Sequence, residues 1–151
     1  MRADRLDEKR QFRSAFRLFL AGAKLGEKGC QLNVGNYYDD AKGVGRSREA
    51  ALYWYKRAYR GGIAGAAHNI GILWRNEGKP IRALAWFRKA VRLGDDEANV
   101  EIAKYFLQLD PHSGRAIRHL EKVCKSDWVS EAGVEEATKL LKQAKQRKKR
   151  A

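Results

Sequence analysis

Residues 51–74 read ALYWYKRAYRGGIAGAAHNIGILW, and residues 83–106, 32 positions on, read ALAWFRKAVRLGDDEANVEIAKYF. The two stretches align without a gap. Ala51 meets Ala83, Trp54 meets Trp86, Tyr55 meets Phe87, Ala58 meets Ala90, and Gly62 meets Gly94. Beyond the glycine, Ala66 meets Ala98, Ile70 meets Ile102, Gly71 meets Ala103 and Trp74 meets Phe106. Self-similarity at such a period is the mark of a repeat architecture.

The repeat extends in both directions. Residues 15–38 (AFRLFLAGAKLGEKGCQLNVGNYY) lie 36 positions before the first stretch. There Leu18 and Phe19 stand for Trp54 and Tyr55, Gly35 for Gly71, and Tyr38 for Trp74. A weaker copy opens at Ala116 (AIRHLEKVCK), with His119 and Leu120 in the aromatic positions.

Spacing assigns the secondary structure. Ala51, Trp54, Tyr55 and Ala58 fall at i, i+3, i+4 and i+7, one apolar face of a helix. Ala67, Ile70, Gly71 and Trp74 repeat that pattern. Small residues let neighbouring helices approach and interlock around the aromatic ones, with Trp54 expected in the core. Gly61 and Gly62 are expected as left-handed helix C-caps between the two faces. Ser47 is a candidate N-cap. Pro80 and Pro111 are placed at or near the first positions of two further helices. Eight helices are predicted, over 8–25, 29–41, 47–60, 64–76, 79–92, 96–108, 113–125 and 129–147. A single helix pair of this kind cannot close its own core, so the pairs must stack.

Val34-Gly35, Tyr38, the loop Lys42-Gly43-Val44-Gly45, and Ala51 to Ala58 followed by Gly62 form a recognisable pattern. It resembles the Sel1-like repeat family, a relative of the tetratricopeptide repeats. The resemblance covers residues 12–125 and departs where Ala103 replaces a glycine and the second unit lacks the long glycine loop. It implies an all-α, right-handed α-solenoid of stacked antiparallel helix pairs, three to four degenerate repeats in all. It also implies a scaffold or adaptor role, with bacterial secretion accessories among the settings of such proteins. Residues 1–141 are expected to form the solenoid with its capping helices, and 142–151 a basic tail continuing the last helix.

The net charge of +14 is unevenly spread. Lys142, Lys145, Arg147, Lys148, Lys149 and Arg150 carry six positive charges with no acid among them. Such a run binds phosphates or anionic surfaces, or simply complements a helix C-terminus. Aromatic residues that would stack on bases are absent after Trp128.

No motif with a catalytic mechanism is present. The sequence has no HExxH, no CxxC pair, no GxSxG and no Walker-type phosphate loop. Gly43-Val44-Gly45 follows a helix rather than a strand, and reads as a turn of the repeat. His112, His119 and Cys124 are the only candidates for a metal site, and packing is the better reading of each. Cys30 and Cys124 take small-residue positions and are expected as buried free thiols. No cofactor is expected.

The partner surface is placed by analogy with tetratricopeptide grooves, lined by the first helix of each unit. That assigns Leu32, Asn36, Asp39, His68, Ile72, Arg75, Val100, Lys104 and Leu107, with Asn33, Asn69 and Glu101 beside them. Asn33 and Asn69 have an equal claim to a structural role, bonding a neighbouring helix. A protein partner with an acidic patch is the leading expectation, with nucleic acid on the basic face and tail as the alternative. The opening MRADRLDEKRQF holds no apolar stretch of the secretory kind, and no run is apolar enough to span a membrane, so a cytoplasmic location is expected.

Overall fold

A computed structural model describes the backbone of residues 2–150 and the side chains of residues 8–146. The described residues form eight α-helices and no strand. They are α1 (Arg2–Lys24), α2 (Lys28–Asp40), α3 (Arg48–Arg60), α4 (Ala64–Asn76), α5 (Pro80–Arg92), α6 (Ala98–Leu109), α7 (Gly114–Cys124) and α8 (Glu131–Arg150). All eight agree with the helices read from the sequence, apart from the first and last, which run further than expected.

The chain divides into two compact units, residues 1–70 and 71–151. In the first, α2 packs against both α1 and α3. In the second, α6 packs against α5, α7 and α8, and α7 packs against α8. Helix α4 contributes its residues up to Ile70 to the first unit and the rest to the second.

The core of the first unit is built on an exchange of size between α2 and α3. Gly35 and Tyr55 are both buried, Tyr55 only 1% exposed. A Cβ on Gly35 would lie 2.4 Å from the Tyr55 ring. In the second unit Phe87 fills the same role against Gly71, where a Cβ would stand 2.6 Å from the ring. The glycine of each repeat is therefore the socket for the second aromatic of the next helix.

This corrects the expectation for Trp54. It is half-buried, with its ring edge-on to Tyr53 at 5.1 Å and Arg57 at 5.9 Å. Trp86, its counterpart, is also half-buried, under the Lys89 ammonium at 3.8 Å. Both tryptophans flank the core as amphipathic plates that hold cations. The last repeat explains its own departure: Ala103 replaces glycine where Leu120 replaces the ring, and both are fully buried.

The caps follow local chemistry. The Ser47 hydroxyl accepts from the Ala50 N–H at 3.2 Å, as expected of an N-cap. Pro80 opens α5 at its first turn. Pro111 does not open α7, which begins at Gly114. Instead the Asp110 carboxylate turns the chain by accepting from the His112 N–H at 2.9 Å. Of the Gly61-Gly62 pair, only Gly62 is left-handed, at φ +89°. The Gly43-Val44-Gly45 loop is structural: Gly43 has φ +64°, and a Cβ there would lie 2.5 Å from the Phe12 backbone.

Candidate functional site

The sequence-derived groove residues fall into two groups, one in each unit. In the first, Asn36 is the hub of a polar network. Its Oδ1 accepts from the Tyr55 hydroxyl at 2.9 Å and from Asn69 Nδ2 at 2.8 Å. Asn69 thus bonds a side chain of a neighbouring helix rather than its backbone. Burial pushes the Tyr55 hydroxyl pKa up, and the charges of Asp39 and Asp40 push it the same way. Asp39 is half-buried and faces Arg46 at 3.6 Å. Leu32 and His68 are half-buried too.

In the second unit the structure brings Arg75 and Lys104 together on one carboxylate. Arg75 Nη1 and Lys104 Nζ both donate to Glu101, the lysine at 3.0 Å. Lys104 also reaches Glu136 on α8 at 2.7 Å. Burial raises the Glu101 pKa, but the two cations more than reverse this, and its carboxyl titrates below its ordinary value. Burial likewise lowers the Lys104 pKa, and the hydrogen bonds its ammonium donates to Glu136 and Glu101 overturn this, for a net rise.

Below this network lies a cavity of about 250 Å³, lined by Arg75, Pro80, Ala83, Leu84, Phe87, Glu101, Lys104, Tyr105 and Gln108. Its floor is apolar, since Leu84 and Phe87 are core residues, and its rim is ionic. A concave apolar floor with a few placed polar groups is the usual form of a binding pocket. Val100, assigned to the groove from its register, is 3% exposed and belongs to the core instead. Ile72 and Leu107 are half-buried.

Sequence reasoning missed Glu136, Tyr105 and the whole α5 wall of this cavity. Only the Glu101 to Lys104 spacing of i, i+3 signalled the ion pair.

His119 has structural partners, whereas the buried Nδ1 of His112 has no hydrogen-bond partner among the described residues. Asn99, 1% exposed, donates from Nδ2 to the Asp96 carbonyl at 3.0 Å, which turns its Oδ1 toward His119 Nδ1 at 2.8 Å. His119 therefore carries its proton on Nδ1. It also stacks on Phe106 at 6.1 Å. Burial lowers its pKa, and Lys122, Arg88 and Arg118 lower it further. Cys124 is exposed and Cys30 half-buried, both free thiols, so neither is the buried thiol expected. No group of three His, Cys, Asp or Glu side chains among the described residues is placed to hold a metal ion.

In the tail, Lys142 is exposed and Lys145 pairs with Glu121 at 2.9 Å. The side chains of Arg147, Lys148, Lys149 and Arg150 lie outside the described residues. No helix among the described residues is long and apolar enough to cross a membrane.

No family model matches the sequence, and no curated protein matches it. Solved structures do. A Sel1 repeat protein from Oxalobacter formigenes matches with a TM-score of 0.66 at 27% identity, over 85% of this chain and 54% of that one. The repeats of this chain are Sel1-like repeats. A protective antigen present in uropathogenic Escherichia coli strains, displaying the same repeat fold, matches with a TM-score of 0.69 at 16% identity. That match covers 90% of this chain and 34% of the antigen. The fold class is thus the all-α solenoid of the Sel1-like and tetratricopeptide-like repeats. The chain spans about half the length of the first neighbour and about a third of the second.

Proposed function

We propose that this Sel1-like repeat chain is a non-enzymatic scaffold or adaptor that binds a protein partner through its helical-repeat surface. The observation that carries the reading is the cavity of the second unit. Leu84 and Phe87 offer an apolar floor at a rim where Arg75 and Lys104 share Glu101. A partner side chain seated there gains apolar burial, and an acidic neighbour competes with Glu101 for the two cations. Opposite charge on the partner speeds encounter with a chain of net charge +14. The repeat fold, which commonly serves as a protein-interaction scaffold, supports the same reading. A cytoplasmic setting, and residues 142–151 as a basic extension that adds long-range attraction, belong to this proposal.

The test compares affinity capture by the wild-type chain with capture by Arg75→Glu/Lys104→Glu, at two salt concentrations. Partners that depend on this surface are lost from the variant at both. An identical set of captured proteins on both baits overturns the reading.

A further inference from the structure

A second cavity, of about 440 Å³, lies at the turn between α6 and α7. It has features the repeat core does not require. Phe106 and Leu109 line it, and Leu109 is 68% exposed, so apolar surface there lies open to solvent. Arg115 and Arg118 line it from the first two turns of α7. The Arg115 guanidinium sits 5.7 Å from the Phe106 ring centroid, and His119 stacks on the same ring.

The start of α7 is electrostatically incomplete. Ser113 occupies the N-cap, yet its hydroxyl bonds no helix N–H, and the first turn contains no acid. Ser113 is only 7% exposed, lines the cavity, and its hydroxyl has no hydrogen-bond partner among the described residues. The hydroxyl borders the cavity, so it is free to bond a ligand seated there. The exposed N–H groups of a helix start also favour negative charge. The surroundings do not meet that demand. Arg118 and Lys122, with Arg88 of α5, all depress His119 toward its neutral form, and none of the three is ion-paired among the described residues. The one acid lining the cavity is Asp110, whose Oδ1 is already engaged by the His112 N–H.

We propose that this cavity binds an acidic peptide segment of a partner protein, seating one carboxylate side chain beside a bulky apolar one. The carboxylate meets the Arg115 and Arg118 guanidinium groups and the Ser113 hydroxyl, and guanidinium forks match a carboxylate geometrically. The apolar side chain covers Phe106 and Leu109. Two arginines against Asp110 leave a single positive charge, which suits a carboxylate better than a doubly charged phosphate. The proposal rests on reading the chain as a partner-binding module, and assigns to that module a second contact and an acidic class of ligand.

The probe is a fluorescein-labelled decapeptide alternating glutamate and leucine, followed by anisotropy. Its glutamine-for-glutamate and phosphoserine-for-glutamate counterparts run in parallel. Arg115→Gln/Arg118→Gln is expected to weaken binding of the glutamate peptide by about tenfold, against less than about twofold for Lys56→Gln/Arg60→Gln, which removes equal charge elsewhere. Ser113→Ala is expected to weaken it by about threefold. The glutamine peptide is expected to bind at least about tenfold more weakly than the glutamate peptide. Arg118→Gln alone, which leaves the Arg115–Phe106 contact intact, serves if the double variant melts early. Equal losses in the two double variants, no saturable binding by the wild type, or tighter binding of the phosphoserine peptide would each overturn the assignment. Loss of partners by Arg75→Glu/Lys104→Glu is a separate readout, so the two proposals fail independently.

Discussion

Gly71 faces Phe87 so closely that a Cβ on the glycine would stand 2.6 Å from the aromatic ring. Gly35 and Tyr55 repeat the relationship at 2.4 Å. Gly71→Ala therefore overpacks the second unit, and a loss of about 1–3 kcal/mol is expected. Pairing the alanine with Phe87→Leu reproduces the Ala103 and Leu120 combination of the last repeat. Urea melts of the two single variants and the double variant measure the coupling. The account expects the double variant to be more stable than the sum of the single losses allows.

Tyr55 and Trp54 are neighbours with different duties. Tyr55→Ala is expected to cost about 3–5 kcal/mol, the range for emptying an aromatic core site. Trp54→Ala is expected to cost less, because its ring is only half-buried. Thermal or urea denaturation ranks the two. Tyr55→Phe keeps the ring but removes the hydroxyl that bonds Asn36, at an expected cost of about 1 kcal/mol.

His119 gives the fold a dependence on mild acid. Burial, together with Lys122, Arg88 and Arg118, holds its folded pKa below the ordinary 6.5. The unfolded chain then takes up the proton first as pH falls. Stability is fully present above about 6.5 and declines between that value and the lower folded pKa. Denaturation midpoints at pH 7.5 and at pH 5.5 read the effect at about one unit on either side of the free value. His119→Gln should flatten this part of the profile.

Glu101 acts in the same sense at lower pH. Its folded pKa lies below the ordinary 4.5, because Lys104 and Arg75 outweigh its burial. The stability it contributes is present above 4.5 and lost as pH falls through the folded pKa. Glu101→Gln leaves Arg75 and Lys104 without their shared carboxylate, and is expected to cost about 1–3 kcal/mol at neutral pH. Its acid profile should be shallower than that of the wild type.

The helix count and the repeat register were legible because both follow from periodicity. Ala51, Trp54, Tyr55 and Ala58 define an apolar arc, and that arc is real. Which of two adjacent aromatics points inward was not legible. Trp54 and Tyr55 both lie on the arc, and the choice is made by the position of Gly35 on another helix. Groove residues were read from register alone. That places Arg75 and Lys104 side by side in the second unit, yet sends Val100 to a core site. Partners that join from a distant helix carry no local signal, as with Glu136, which reaches Lys104 from α8. Pro111 misled for a local reason. The side chain of Asp110 makes a turn there, and the helix waits until Gly114.

The most direct test of the adaptor reading is site-specific photocrosslinking from the cavity of the second unit. Gln108 lines that cavity and is exposed, so a photoreactive benzoylphenylalanine in its place reaches whatever binds there. The account predicts a discrete partner crosslinked from position 108, and loss of that product on adding Arg75→Glu/Lys104→Glu. A discrete partner crosslinked from exposed Lys56 on α3 while position 108 yields none would contradict it.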